Sequence, residues 1–315
     1  MGTARTAVEP PVAAARPGGR ASSDGAWLGV AMMVGSALSN QVGAAVGALA
    51  FPAIGAVGVV AVRQWVAGVA LTALARPRPW RFTAAQWRPV LLLAVVFAVM
   101  NVALYTAVDR IGLGLAVTLE FLGPLAVALT ASRRRTDLAC AVVAAAGVVV
   151  LTRPQPTTDY AGVAAGLLAA ACWAAYILVN RELGRRVPGG AGPATGAALS
   201  ALVFVPIGAV VLAAHPPSAG TLGCAVTAGL LASAVPLVVD LMALRRVPAG
   251  AYGIFMSINP VLAAVVGLVV LGEGLPWDAW AGIAAIVAAN AGCQLLAARS
   301  ARRAAPPAGT AHHGR

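Results

Sequence analysis

The sequence predicts an all-α polytopic membrane protein with ten transmembrane helices, arranged as two inverted repeats of five helices. Three observations predict this fold: the composition, the long apolar runs and the distribution of arginine. Of the 315 residues, 60% are hydrophobic and only 10% are charged, whereas a soluble chain is about half apolar and about a quarter charged. Ten helices of about 20 residues would use about 200 residues, so little of the chain remains for a domain outside the membrane.

The apolar runs predict the individual helices, separated by short turns that are often rich in proline. We predict spans over residues 27–49, 53–75, 89–108, 113–131, 137–152, 161–180, 194–213, 220–243, 250–271 and 278–298. Residues 1–25 and 299–315 have no apolar periodicity, and we expect disordered cytoplasmic tails there. Residues 26–152 are the predicted first repeat and residues 160–298 the second.

Arginine placement predicts the orientation. All 22 basic residues are Arg. If the N-terminus is cytoplasmic, nineteen of them fall in inside segments, Arg110 and Arg153 fall outside, and Arg63 falls within a span. This asymmetry predicts a protein of the cytoplasmic (inner) membrane with both termini inside. The net charge of +12 therefore does not indicate nucleic-acid binding, which requires a polar basic surface.

No pattern for a metal, a cofactor or catalysis is present in the sequence. The four cysteines are isolated within apolar segments and show no CxxC spacing, so they are expected to be small apolar residues. Phosphate-binding loops, dinucleotide-binding motifs and nucleophile elbows are also absent, and we expect neither a cofactor nor an enzyme.

An internal repeat relates the third and fourth spans to the eighth and ninth. Three residue pairs share an offset of 136 positions: Arg110 and Arg246, Gly114 and Gly250, Pro124 and Pro260. A repeat of five helices is odd, so the second copy enters the membrane from the opposite side. Inverted repeats of this kind are typical of secondary transporters, whose substrate site lies near the midplane between the halves.

Several separated segments resemble a known family. Residues 101–105 and 110–129, which contain Glu120 and Pro124, are similar to the fourth span of inner-membrane threonine/homoserine exporters of the EamA family, in the drug/metabolite transporter superfamily. Further matches lie at residues 171–178, 204–209, 256–265 and 271–273. The resemblance implies ten helices in two EamA repeats and efflux of small amino acids driven by the proton gradient. One departure is Asn259, where such exporters usually carry Glu, because an amide cannot carry a proton.

Glu120 and Arg63 are the two ionisable residues predicted to lie deep within spans. A charge at the bilayer centre costs at least about 2.5–3.5 kcal/mol and usually faces a cavity or a partner. Glu120 is a candidate for proton coupling or ammonium binding, and the Arg63 fork is a candidate for a substrate carboxylate. The alternatives are a structural Glu120–Arg63 ion pair, or an Arg63 that snorkels to the interface.

Other polar and aromatic residues share helical faces that could line a cavity. These candidates are Asn101 and Tyr105, Trp173 and Tyr176, and Tyr252, Met256 and Asn259. Asn40 and Gln41 are similar candidates in the first span. Asp240 is a candidate proton relay, and the alternative, which its closeness to Arg245 favours, is an interfacial ion pair with that residue. Pro124 and Pro260 are candidate paired hinges. The alternative for the aromatics is packing, and for the prolines a kink without function.

The sequence therefore predicts a secondary transporter that exports threonine, homoserine or similar metabolites in exchange for protons. Its expected partners are a small-molecule substrate, protons and the lipid bilayer, and nucleic acid is not expected. The sequence is compatible with a monomer or a homodimer. The alternatives are a broad-specificity drug and metabolite efflux pump, a membrane-embedded enzyme, or a scaffold protein. An enzyme would need a nucleophile–base or metal constellation, and a scaffold would not explain an intramembrane Glu and Arg.

Overall fold

The computed structural model describes residues 23–130, 135–152, 159–187, 190–244 and 257–304, and all regular structure in these ranges is helical. Within the described residues, each predicted span overlaps one helix or one interrupted helix. The uninterrupted helices are α1 (Ser23–Ala48), α2 (Phe51–Ala75), α3 (Ala84–Ile111), α5 (Arg135–Thr152), α6 (Tyr160–Arg186), α7 (Ala191–Ala214) and α10 (Trp277–Ala304). A short 3-10 turn (Pro79–Arg81) precedes α3.

Three further helices are interrupted. Each of them is counted as one helix, and they are numbered α4, α8 and α9 in chain order. Helix α4 consists of Leu113–Glu120 and Leu122–Thr130. Helix α8 consists of Ala219–Gly229, a π-helical segment Leu230–Ala234 and Val235–Leu244. Helix α9 consists of Asn259–Val266 and a π-helical segment Gly267–Leu271.

One of the two predicted hinge prolines, Pro124, lies beside an interruption, and the other, Pro260, lies near the start of a described helix. Helix α4 breaks at Phe121 rather than at Pro124 itself. Proline has this effect because its ring clashes with the preceding turn of the helix and because it lacks the N–H that would bond to that turn. Pro260 lies in the first turn of the described part of α9, where its missing N–H is tolerated. The residues that precede it, 245–256, lie outside the described part of the chain.

The helices have the length and surface of membrane spans. Within the described residues, five helices are long and apolar enough to cross a membrane, and three shorter apolar helices lie in α4, α8 and α9. Large apolar side chains point outward from them, including Val69, Leu202 and Val269, which are 71%, 63% and 76% exposed. An apolar exterior of this extent requires lipid or protein around it. These features are those of an all-α membrane protein.

Contacts between the chain's first five helices and its last five form most of the packing. Helix α3 packs along α6 and α1 along α8, while α2 packs on α7, α4 on α9, and α5 on α10. Glycines permit the close approaches. A Cβ on Gly43 of α1 would lie 2.7 Å from the Ala232 nitrogen, and a Cβ on Gly166 of α6 would lie 2.9 Å from Leu119 Cδ1. Small residues at such contacts are usual where helices pack within lipid.

The turn between α3 and α4 is held by a hydrogen bond to Glu273 and depends on the conformation of Gly112. Leu113 N donates a hydrogen bond of 2.8 Å to Glu273 Oε2, from the connection between α9 and α10. Gly112 and Gly267 make room for this carboxylate, because a Cβ on either would lie within 2.8 Å of Oε2. Gly112 also has a φ of 81°, a conformation that glycine adopts without strain.

An exposed ion pair lies beside the same turn. Arg110 NH1 lies 3.1 Å from Asp159 Oδ2, and both side chains are well exposed. Asp159 also caps α6, since its Oδ1 accepts a 2.8 Å hydrogen bond from Gly162 N. This backbone bond, together with Arg110, holds the pKa of Asp159 below its usual value.

Candidate functional site

A cavity of about 330 Å³ lies among seven of the helices: α1, α2, α3, α4, α6, α8 and α9. Its lining combines one acid, one arginine, several amides and aromatic side chains. The lining residues are Ser36, Ala37, Asn40, Gln41, Ala44, Arg63, Phe97, Met100, Asn101, Leu104, Val117, Glu120, Phe121, Trp173, Tyr176, Pro236 and Asn259.

Glu120 enters the cavity where α4 is interrupted. It is the last residue of the first segment of α4, immediately before the break at Phe121, and its exposed fraction is 7%. Arg63 of α2, which is 9% exposed, lines the same cavity. Although Arg63 exerts an electrostatic influence on Glu120, the ion pairs of the described residues do not include one between these two side chains. The direct structural pair considered above is therefore not the arrangement in this structure.

Arg63 is held from α8 and from α3. Its NH2 donates to Ala232 O at 3.1 Å, and its Nε donates to Ser233 Oγ at 3.3 Å. Its Cζ lies 5.0 Å from the centroid of the Tyr105 ring, within the range of a cation–π interaction. Because its partners lie inside the bundle, Arg63 does not snorkel.

Two amides join opposite halves of the chain at the cavity. Gln41 Nε2 of α1 donates a 3.0 Å hydrogen bond to Asn259 Oδ1 of α9, and both residues are buried. Asn101 of α3 lines the same cavity and donates from Nδ2 to Phe97 O at 2.8 Å. The Asn259 amide is therefore part of the cavity wall.

Aromatic rings also line the cavity. Trp173 of α6 packs edge-on against Phe121, with ring centroids 4.6 Å apart. Tyr176, one turn further along α6, lies 6.2 Å from Phe97. The cavity therefore combines apolar and polar lining residues, which is usual for sites that bind small molecules.

The structure brings together eight of the predicted site residues. Those that line the cavity are Asn40, Gln41, Arg63, Asn101, Glu120, Trp173, Tyr176 and Asn259. Tyr105 instead lies behind Arg63, where it is 1% exposed. Tyr252 and Met256 lie outside the described residues, as does the side chain of Asp240. In the part of the chain that the structure describes, no cluster of three or more His, Cys, Asp or Glu residues could hold a metal ion.

Sequence reasoning missed the residues of α8. Pro236 lines the cavity, while Ala232 and Ser233 hold Arg63. The available signal was Pro236 itself, since a proline within an apolar run removes a backbone donor in the middle of a span. Ala232 carried no signal, because it accepts through its backbone carbonyl oxygen.

Comparisons with known proteins agree with this architecture. Residues 160–292 match the model of the EamA-like transporter family. The threonine/homoserine exporter RhtA of Salmonella typhimurium strain LT2 is 37% identical over 276 residues, which is 87% of this chain and 93% of the relative. RhtA of Escherichia coli strain K12 is 37% identical over 284 residues, 88% of this chain and 94% of its own.

Two more distant similarities extend the comparison. YwfM of Bacillus subtilis strain 168, an uncharacterized transporter, is 28% identical over 63% of this chain and 70% of its own. One crystal structure, described only as that of a protein, is similar with a TM-score of 0.57 and 19% identity, over 89% of this chain and 99% of that one. It shows that the fold occurs among solved structures. From the identity and coverage shared with the exporters, this chain belongs to the EamA-like transporter family.

Proposed function

We propose that this protein exports small amino acids of the threonine or homoserine kind across the cytoplasmic membrane in exchange for protons. The observation that carries the proposal is the cavity, which presents an arginine and a glutamate that are not joined in an ion pair. A zwitterionic amino acid has a carboxylate for Arg63 and an ammonium group for Glu120. The RhtA relatives, which share 37% identity with this chain, are named for threonine and homoserine.

The size of the cavity supports a small substrate. A volume of about 330 Å³ lies at the lower end of the range of about 300–1,000 Å³ for ligand pockets. The amides of Asn101 and Asn259 add hydrogen-bonding groups suited to the hydroxyl of threonine or homoserine. We therefore favour an amino acid over a bulky drug.

Proton coupling is assigned to Glu120. Among the described residues that line the cavity, it is the only carboxyl group. A carboxyl group that binds either a proton or the substrate ammonium links the two fluxes, because each occupant excludes the other.

Alternating access is proposed from the packing of two repeats, residues 26–152 and 160–298. Exchanging each helix with the one five positions later turns the α3–α6 contact into the α8–α1 contact, and maps the α2–α7, α4–α9 and α5–α10 contacts onto themselves. This pattern is expected from inverted five-helix repeats, and interrupted helices such as α4 and α9 are typical of transporter sites. The arginine distribution supports ten spans with both termini cytoplasmic.

Uptake into inside-out vesicles tests the proposal. With an imposed pH gradient, we expect wild type to accumulate labelled threonine or homoserine, and Glu120→Gln to lose at least about tenfold of the gradient-driven accumulation. Glu182→Gln is the matched control, since Glu182 lies at the end of α6, partly exposed, beside Arg185 and Arg186. Equal accumulation by all three proteins would remove Glu120 from the coupling step.

The alternative function is broad efflux of apolar cations. The aromatic lining formed by Phe97, Phe121, Trp173 and Tyr176 together with Glu120 would suit a flat cation. The same vesicles decide between the two, because movement of a cationic dye without movement of either amino acid would establish this alternative.

A further inference from the structure

Pro236 disturbs the hydrogen bonding of α8 at the cavity. In an α-helix the N–H of residue 236 would bond to Ala232 O, and in a π-helix it would bond to Leu231 O. Proline has no N–H. In addition, Val235 N bonds to Leu230 O, in the π-helical pattern. The carbonyls of Leu231 and Ala232 are thus without their usual donors from these two residues.

Side chains from α1 and α2 donate hydrogen bonds to these two carbonyl oxygens. Ser39 Oγ donates to Leu231 O at 2.8 Å, and Arg63 NH2 donates to Ala232 O at 3.1 Å. Arg63 also donates from Nε to Ser233 Oγ at 3.3 Å. A carbonyl at a break does not need a charged donor, since Phe121 O at the α4 break accepts from the neutral amide of Asn290 at 3.4 Å.

The two bonds from Arg63 fix how its fork lies. They use Nε and NH2 along one side of the planar guanidinium. Arg63 is 9% exposed and lines the cavity with Glu120. The acceptors on α8 therefore fix how the guanidinium lies in the cavity wall.

We infer that the Pro236 break and Ser233 are positioning elements for substrate selectivity, because they orient Arg63 to receive the carboxylate of the transported amino acid. This inference rests on the proposed function. Ser233 and Pro236 act through Arg63, whereas Ser39 secures the neighbouring carbonyl without touching Arg63. The geometry also predicts that a substrate analogue without a carboxylate gains nothing from Ser233 or Pro236.

The first test compares threonine with threonine amide as competitors of labelled threonine in inside-out vesicles. We expect Ser233→Ala to raise the KM for threonine about tenfold, as for loss of a hydrogen bond to a charged group, with Vmax within about twofold and inhibition by the amide unchanged. Pro236→Ala supplies an N–H that competes for Ala232 O, and it should shift the preference in the same direction. Ser233→Thr keeps the hydroxyl and should restore the preference, and Ser39→Ala is the matched control that should retain it.

The second test reads the Arg63 fork directly, by NMR of protein labelled with ¹⁵N-arginine. The Arg63 Nε–H signal is assigned by its loss in Arg63→Lys. We expect slow solvent exchange of this proton in wild type, Ser233→Thr and Ser39→Ala, and at least about tenfold faster exchange in Ser233→Ala. Exchange that is equal in Ser233→Ala and wild type would overturn the inference.

The two tests separate this inference from the proposed function. If no protein, wild type included, takes up threonine while the Nε–H exchange responds as expected, the proposed function fails and the positioning of Arg63 stands. If wild type transports threonine but Ser233→Ala keeps its preference over the amide, or Ser39→Ala loses it equally, the inference fails and the function stands.

Discussion

Two combinations of an arginine and an acid in this protein differ in exposure and in whether they form an ion pair. Arg63 and Glu120 are 9% and 7% exposed, share a cavity, and do not form an ion pair. Arg110 and Asp159 are 47% and 37% exposed in their side chains and lie 3.1 Å apart. The pair that is directly bonded is therefore the one that water already solvates, and the buried pair stays apart.

This difference suggests different roles for the two combinations: the exposed pair has a small effect on stability, and the buried residues belong to the candidate site. An exposed ion pair contributes little to stability because water and salt screen it, so Arg110 and Asp159 have little energetic effect beyond the cap on α6. Arg63 is instead bonded to Ala232 and Ser233 and not to Glu120, and ionisable residues inside the membrane are functional candidates by default. Under the proposed function, a zwitterionic ligand would match the two groups.

The largest effect is expected at the buried arginine. Arg63→Lys keeps the charge but replaces the planar fork with a single ammonium, so it cannot hold Ala232, Ser233 and a carboxylate together. We expect threonine affinity to fall roughly tenfold to a hundredfold, equivalent to about 1.5–3 kcal/mol. Arg110→Lys is the control at the exposed pair and should leave affinity within about twofold. Competition uptake measures both, and equal losses would contradict the contrast.

The next largest effect is expected at Gly43 of α1, which packs against Ala232, the residue whose carbonyl oxygen accepts from Arg63. Gly43→Ala places a Cβ 2.7 Å from Ala232 N, so α1 and α8 must separate. We expect a loss of about 1–3 kcal/mol of stability, measured as a lower melting temperature in detergent. Gly35→Ala on the same helix has nothing within 4 Å of its Cβ and should be neutral or slightly stabilising. A similar loss in both variants would point to a general intolerance of α1.

A smaller loss is expected at the amide bridge of the cavity. Gln41→Met retains volume but removes the donor to Asn259 Oδ1, which should cost about 1–3 kcal/mol for the buried acceptor. Asn40→Met is the control, since Asn40 lines the same cavity on the same helix. If only the bridge matters for folding, thermal unfolding will show a decrease in Gln41→Met alone.

The smallest effect belongs to the exposed pair and depends on pH. Since the folded state lowers the pKa of Asp159, its contribution is present above the ordinary pKa of aspartate, about 3.9, and is lost as the pH falls through the lowered value. Asp159→Asn still caps α6, so its melting temperature at pH 7 should be slightly below that of wild type. The difference should shrink in acid, and a constant difference would show that the charge of Asp159 has no part in it.

Much of the helix pattern was accessible from the sequence. Apolar runs located the helices because each span must bury or expose apolar side chains over its whole length, and α2, for example, ends at residue 75 as predicted. The family was also recognisable from the segments around Glu120 and Pro124, and the comparisons confirm it. The ends of α3, α6 and α10 extend beyond the predicted spans, because polar residues can continue a helix beyond the hydrocarbon core.

The geometry around Arg63 was not accessible. Its charge and depth marked it as a site residue, but its acceptors include the carbonyl of an alanine, a group that every residue carries. The π-helical segment of α8 depends on tertiary contacts with α1 and α2, and Tyr105 shares a helical face with Asn101 yet lies behind Arg63. Helical spacing gives the direction of a side chain but not which neighbour covers it.

The hydrogen bond between Leu113 N and Glu273 Oε2 has a mechanical consequence. It couples the first turn of α4 to the segment that leaves α9, so these two parts of opposite halves move as one body while the bond persists. Parting them at this end would expose an amide and a carboxylate, and both would have to be hydrated at once. Under the proposed alternating access, opening at this end therefore requires that this hydrogen bond break.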